Sequence, residues 1–165
     1  MKEHTMDAST GEELLHDGPV RRMIAAANRH DLDAMLAEFS DDYENITPVH
    51  PARSFTGRVQ VQRNWESLFA AIPDLRVTVN NATAASDGSV WMEWSNSGIR
   101  RDGVVVEMAG VSIFTVRADR IAGAHFYLEP VDHGPGDIND AIRTATTGPA
   151  TSVDSVARPV AAGKK

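Results

Sequence analysis

The second half of the chain contains four β-type segments in succession, and this run constrains the fold more than any other feature. The segments are residues 75–84, 89–97, 104–116 and 121–129. Short turns join them, and these turns supply the Asp and Gly that tight hairpin connections favour. Consecutive strands joined by such turns predict an antiparallel meander.

Three segments before the meander carry apolar residues at the spacing of a helix. They are residues 19–30, 32–39 and 57–72. Pro19 suits the first position of the first helix, and Asp31 is predicted to cap the second. Between the second and third helices, residues 43–47 alternate as in a short strand, which Pro48 ends, and residues 50–54 predict a surface loop.

Three helices that precede a meander can cover only one of its faces, which predicts an α+β fold with room for a pocket between helices and sheet. We expect one domain over residues 18–145, in which residues 137–145 form a weak helix. Residues 1–17 predict a polar N-terminal arm. Residues 146–165 have too few large apolar groups to offset the entropy of ordering them, and they predict a flexible tail.

The composition excludes several classes of function. With 23 acidic and 16 basic residues the net charge is -7, which opposes binding to nucleic acid. The chain has no cysteine and its six histidines are scattered, so we expect no disulfide and no metal site. No apolar stretch approaches the roughly 20 residues that span a bilayer, and the first residues lack the pattern of a signal peptide. We therefore expect a cytoplasmic protein without membrane association.

Three short motifs accompany the predicted order of helix, helix, strand, helix and four strands. They are Asp31-Leu32-Asp33-Ala34-Met35-Leu36, Phe114-Thr115-Val116 with Asp119-Arg120-Ile121, and Phe126-Tyr127-Leu128-Glu129-Pro130. In this order they resemble the nuclear transport factor 2-like superfamily from about Pro19 to Asp132. That superfamily includes SnoaL-like polyketide cyclases, ketosteroid isomerases and limonene-epoxide hydrolases. The resemblance implies a cone-shaped α+β barrel, in which a curved antiparallel sheet wraps around three N-terminal helices.

One branch of the superfamily shares a further motif with this chain. Tyr43-Glu44-Asn45 resembles the strand of limonene-epoxide hydrolases whose Tyr and Asn hold the attacking water. Where those enzymes carry an Arg and two Asp, this chain has Trp94, Asn96 and Phe126. Without carboxylates at these positions to transfer a proton, epoxide hydrolysis by that route is not expected.

The alternation of side chains along the strands, combined with the resemblance, predicts the walls of a pocket. Candidate substrate-binding residues are Trp65, Phe69, Trp94, Val106, Met108, Phe126 and Leu128. Tyr43, Asn45 and Asn96 would supply polar contacts to a mainly apolar ligand. An alternative interpretation is that Tyr43 and Asn45 bond only to the backbone, and that the aromatic residues only fill the core.

Glu129 and His50 complete the candidate catalytic set of Tyr43, Asn45, Asn96, Glu129 and His50. The resemblance places Glu129 at the position where SnoaL-like cyclases carry a catalytic carboxylate. Strict alternation from Phe126 turns Glu129 outward together with Tyr127, and only a bulge would turn it inward. His50 lies in the loop that is expected at the mouth of the pocket.

These residues predict a cofactor-independent SnoaL-like cyclase or isomerase that acts on an apolar polyketide, terpenoid or steroid-like substrate. A non-catalytic ligand-binding or protein-interaction module is the alternative, and an epoxide hydrolase with an altered catalytic set is a further one. An apolar outer sheet face predicts a homodimer. The residues expected on that face are Trp91, Val105, Val111 and Ile113.

Overall fold

The computed structural model describes residues 10–147, which form a main unit up to Val131 and a second unit from Asp132. The main unit contains α1 (Pro19–Asn28), α2 (Leu32–Leu36), β1 (Phe39–Ile46), β2 (Phe55–Thr56), α3 (Arg58–Ala71), β3 (Arg76–Ala84), β4 (Val90–Ile99), β5 (Val105–Arg117) and β6 (Arg120–Pro130). The second unit contains α4 (Ile138–Thr147). Residues 1–9 of the predicted arm and residues 148–165 of the predicted tail lie outside the described residues.

The six strands form one curved, unclosed sheet in the order β2-β1-β6-β5-β4-β3. The predicted meander is present, since β3 to β6 pair with their chain neighbours in antiparallel fashion. Strand β1 adds to β6 in parallel, so the whole sheet is mixed where a purely antiparallel one was expected. Parallel neighbours require a long crossover, and α3 with the first three meander strands supplies it. The predicted α+β fold class is confirmed.

Helices α1 and α3 lie against the sheet, and α2 packs against both of them. The apolar stripe of α1 is buried at Val20, Met23, Ile24 and Ala27, as its spacing predicts. The N-cap of α2 is also confirmed, because the Asp31 side chain accepts a hydrogen bond from the Ala34 amide. The contacts of α1 with β3 and β6, and of α3 with β1, place these two helices over one face of the sheet.

The predicted end of the second helix is wrong. Helix α2 ends at Leu36, and Phe39 begins β1, where it pairs with Ile121 of β6. Phe39 is buried, as it would be at the end of a helix or at the start of a strand. The spacing of apolar residues therefore could not distinguish these two positions. The two-residue β2 was also missed, because a segment of that length has no period.

Residues 10–15 contact β3. The Thr10 carbonyl accepts a hydrogen bond of 2.7 Å from the Val79 amide, and Leu15 is buried. From α1, the Asn28 side chain donates to the Val77 carbonyl and accepts from the Val77 amide. Both segments are therefore tied to the backbone of the same strand.

Two backbone features shape the meander. Ala118 and Asp119 have φ values of 48° and 55°, as the two-residue hairpin between β5 and β6 requires. Gly110 pairs with Trp94 on one side and Leu128 on the other. A Cβ atom at Gly110 would lie 2.0 Å from the Tyr127 carbonyl oxygen, so the strands approach one another too closely there for any side chain.

None of the helices in residues 10–147 has the length and apolar character needed to cross a membrane.

Candidate functional site

A cavity of about 350 Å³ lies between the helices and the inner face of the sheet in the main unit. This volume falls within the roughly 300–1,000 Å³ that small-molecule sites occupy. A second hollow, of about 200 Å³, lies between residues 14–20 and the β3–β4 hairpin. The larger cavity is the candidate site because its volume reaches the range of small-molecule sites and that of the second hollow does not.

The structure brings most of the predicted site residues together on the wall of this cavity. They are Tyr43, Asn45, Trp65, Trp94, Asn96, Val106, Met108, Phe126 and Leu128. The strand residues among them follow the expected alternation, since Trp94 and Asn96 share one face of β4, and Phe126 and Leu128 share one face of β6.

Phe69 does not line the cavity, unlike the prediction. Its ring stacks on His30 with a centroid distance of 4.4 Å, and it also contacts Trp65 at 5.4 Å. Leu68 lines the cavity, and the next residue of a helix points about 100° away from it. Phe69 therefore packs beside the site and does not form its wall.

His50 and Glu129 also lie outside the lining, but they contact one another. The His50 Nε2 atom lies 2.9 Å from Glu129 Oε1, and both side chains are more than a third exposed. Glu129 pairs with Ala109 of β5, and the preceding residue of β6, Leu128, lines the cavity. Neighbouring side chains of a strand point to opposite faces. The pair ties the loop after β1 to the end of β6, and it places no carboxylate inside the cavity.

A chain of hydrogen bonds runs along the inner face of β1. The Tyr43 hydroxyl donates to Asn45 Oδ1 at 3.1 Å, and Asn45 Nδ2 donates to Thr47 Oγ1 at 3.2 Å. Tyr43 is only 1 % exposed, and burial raises the pKa of its phenol above the ordinary range. Tyr43 therefore remains a protonated donor at neutral pH, and Asn45 and Thr47 retain hydrogen-bonding capacity for a ligand.

Trp94 and Asn96 differ in how much freedom the structure leaves them. Trp94 Nε1 donates to Ser112 Oγ at 2.9 Å, and its ring packs edge-on against Phe126. That hydrogen bond fixes the indole as a rigid wall. The side-chain amide of Asn96 has no hydrogen-bond partner within residues 10–147, although it lines the cavity. It is therefore available to bind a polar group of a ligand.

Sequence reasoning missed several lining residues. The polar ones are Thr47, Arg53 and Asn64, and the apolar ones are Met23, Ile24, Ala27, Phe39, Phe55, Val61, Leu68, Ile72 and Phe114. The apolar stripes of α1 and α3 carried a signal of burial, but not of facing a cavity. Arg53 lies in the short 3₁₀ turn Pro51–Arg53, and a loop residue has no periodicity that could reveal its direction.

The chemistry available in the cavity is hydrogen bonding, with one positive charge. Among the described residues that line it, none is Asp, Glu or His. Residues 10–147 also contain no group of three or more His, Asp or Glu side chains arranged to hold a metal ion. The site can enclose an apolar body and donate hydrogen bonds to oxygen atoms on it.

A curved sheet covered on one face by helices, with an apolar cavity enclosed between them, defines the class of α+β cone-shaped pocket proteins. The sequence agrees, because the SnoaL-like domain matches residues 20–124. The chain belongs to the SnoaL-like family, as its motifs predict.

Solved structures share this fold. One is a protein of Mycobacterium tuberculosis in complex with estradiol-17beta-hemisuccinate, with 19% identity, a TM-score of 0.59, and coverage of 67% of this chain and 94% of that one. Another, from Catenulispora acidiphila, has a ketosteroid isomerase-like fold and was solved with trimethylamine. Its identity is 21% and its TM-score 0.56, and the match covers 68% of this chain and 87% of that one. A third is a candidate polyketide cyclase from Xanthomonas campestris. Its identity is 22% and its TM-score 0.53, and the match covers 66% of this chain and 87% of that one. No curated protein sequence matches the chain significantly.

Proposed function

We propose that this protein binds a mainly apolar small molecule in the cavity of the main unit and acts on it as a cofactor-independent cyclase or isomerase. The observation that carries the proposal is the cavity of about 350 Å³, with aromatic and aliphatic walls and a few hydrogen-bonding groups. The steroid ester bound by the Mycobacterium tuberculosis structure and the candidate polyketide cyclase support a polyketide, terpenoid or steroid-like substrate.

The arrangement supports catalysis by orientation. Trp94 and Phe126 form rigid walls that would hold a flexible chain folded, and Asn96 would donate to a carbonyl oxygen that gains negative charge. Asn45, held by Tyr43, would fix a second oxygen of the substrate. Such a site suits a reactive substrate whose ring closure needs little proton transfer.

A non-catalytic binding module is the second candidate function. It is favoured by the absence of Asp, Glu and His among the described residues that line the cavity. Epoxide hydrolysis is not expected either, because Trp94, Asn96 and Phe126 line the cavity where epoxide hydrolases carry an Arg and two Asp. We therefore expect no diol from a panel of terpene and fatty epoxides. Binding of a compound that the native chain does not convert would favour the binding module, whereas turnover that falls in Tyr43→Phe or Asn96→Ala would favour the enzyme.

Ligand binding in the cavity is tested with N-phenyl-1-naphthylamine, a neutral apolar dye whose fluorescence rises in apolar surroundings. We expect the dye to bind the native chain and to bind the Val106→Trp variant more weakly, because the larger side chain would fill part of the cavity. Val59→Trp is the matched control, since Val59 is 62% exposed on α3 and does not line the cavity. Equal binding by all three proteins would refute the cavity as the site, and native mass spectrometry would identify a co-purified ligand.

We also propose that the protein forms a homodimer through the outer face of the sheet. Apolar side chains on this face include Trp91 and Val105, which are 45% and 71% exposed, and Tyr127. Trp91 pairs with Ile113 across β4 and β5, and Val111 pairs with Tyr127 across β5 and β6, so the apolar side chains are neighbours. An apolar patch of this kind, although Glu93 and Glu107 lie on the same face, supports burial against a second copy.

A further inference from the structure

Arg53 is the one charged side chain among the described residues that line the cavity. It ends the 3₁₀ turn Pro51–Arg53 in the loop between β1 and β2. Asn45 of β1 pairs with Phe55 of β2, so this pairing brings residues 47 and 53 together where the loop closes. Thr47, at the end of the hydrogen-bond chain from Tyr43, therefore lies at the same end of the cavity as Arg53.

Within residues 10–147, no acidic side chain neutralises the guanidinium of Arg53. By contrast, Arg22 pairs with two carboxylates, and Arg58 and Arg100 each pair with one. The carboxylate of Glu129, at the end of β6, contacts His50 of the same loop. A positive charge is therefore available at one end of a cavity whose other described lining residues are uncharged, in a chain whose net charge is -7.

The loop that carries Arg53 is held by several bonds. The Arg53 amide donates to the His50 carbonyl at 2.9 Å, and the Thr47 amide donates to Ser54 Oγ at 3.0 Å. The contact of His50 with Glu129 ties the same loop to β6. Because the backbone is already ordered, a ligand that binds Arg53 avoids the entropic cost of ordering this loop.

We infer that the ligand of this cavity is an apolar acid, whose carboxylate binds the Arg53 guanidinium while its apolar body fills the space toward Trp94. The inference rests on the proposed function and adds the chemical class of the ligand. A guanidinium matches a carboxylate through two parallel hydrogen bonds, and the Thr47 hydroxyl is placed to donate a further one. The positive charge thus selects an acid over a neutral molecule of the same shape.

The test compares two compounds of nearly identical shape, naphthalene-1-acetate and naphthalene-1-acetamide, as displacers of bound N-phenyl-1-naphthylamine. We expect the acetate to displace the dye from the native chain at a concentration about threefold to tenfold lower than the amide, the range for a partly exposed charge-assisted contact. In Arg53→Gln the preference should vanish while dye binding is retained, and in Arg53→Lys part of it should remain. The preference should also shrink as salt is added.

Arg63→Gln is the matched control, because Arg63 is exposed on α3, outside the cavity lining, and its loss changes the net charge by the same amount. It should keep the preference for the acetate. Equal displacement by the two compounds, displacement by neither, or an equal loss in Arg53→Gln and Arg63→Gln would overturn the inference while dye binding stands. Failure of the native chain to bind the dye would instead refute the proposed function, and the inference with it.

Discussion

At the scale of single residues, Tyr43 joins the stability of the fold to the chemistry of the cavity. Its ring packs edge-on against Phe39 at 5.0 Å, and its hydroxyl orients the amide of Asn45. Such a residue has a structural and a binding role at once. The two roles can be separated because the ring and the hydroxyl can be changed independently.

Replacing Tyr43 with Phe should lower the free energy of unfolding by about 1–2 kcal/mol near neutral pH, because Asn45 Oδ1 loses its buried donor. Urea denaturation measures this change. Tyr127→Phe is the control, since Tyr127 is the other tyrosine of the chain, and as an exposed residue it should change stability by less than about 0.5 kcal/mol. Equal effects of the two substitutions would contradict the role assigned to the Tyr43 hydroxyl.

The pH dependence of stability should identify the same hydroxyl. Because burial raises the pKa of Tyr43 in the folded state, its contribution is fully present below about pH 10, the unfolded value, and is lost as pH rises further. Native stability should therefore fall more steeply above that pH than the stability of Tyr43→Phe. Parallel curves for the two proteins in alkaline urea titrations would show that Tyr43 is not shielded from ionisation.

Gly110 is a second residue whose identity is dictated by its surroundings. Gly110→Ala should lower the free energy of unfolding by about 1–3 kcal/mol, because the new methyl would meet the Tyr127 carbonyl and the strands would have to move apart. Thermal and urea unfolding measure the loss. The neighbouring exposed substitution Ala109→Ser should change stability by less than about 0.5 kcal/mol. A stable Gly110→Ala variant would refute the close approach of β5 and β6.

At the scale of elements, the loop between β1 and β2 is joined to β6 by the contact between His50 and Glu129. Glu129→Ala should speed amide hydrogen exchange at Arg53 and Ser54 by up to about fivefold, the limit for a partly exposed pair that solvent screens. Glu93→Ala, an exposed change on β4, should leave exchange in the loop unaltered. No acceleration in Glu129→Ala would mean that the backbone hydrogen bonds alone hold the loop.

The elements also show how far periodicity reaches. The four meander strands and α1 begin and end close to the predicted positions, because each has a long, regular pattern and a turn or cap at its ends. Strand β1 was longer than predicted and β2 was missed. Strand β1 pairs with β6, which is distant in the chain, and with β2, which is only two residues long. Local patterns do not encode such pairings.

At the scale of the whole molecule, a homodimer should have a mass by light scattering of about twice the 17.9 kDa of the monomer. Val105→Glu should yield the monomer mass, because a charge would be buried at the proposed interface. Val59→Glu is the control, since Val59 is comparably exposed, at 62%, but lies on α3. A monomer mass for the native chain in dilute buffer would refute the dimer.

The candidate site was predictable where it lies on regular strands. Trp94, Asn96, Phe126 and Leu128 were placed inward by alternation together with the family resemblance, and the structure puts them on the cavity wall. Arg53 was not foreseen, because it lies in an irregular loop. Phe69 was misplaced by about 100° around α3, since the apolar face of a helix is wide and only contacts decide which part faces a cavity.

By itself, the sequence determined the fold class, most element boundaries and the family, because these depend on periodicity, turn residues and motif order along the chain. Only the tertiary structure decided that β1 runs parallel to β6, that Glu129 pairs with His50 outside the cavity lining, and that Arg53 lines the cavity. The physical reason is that a side chain's neighbours across the fold come from packing between distant segments. Those neighbours, and not local propensity, decide which groups reach a ligand.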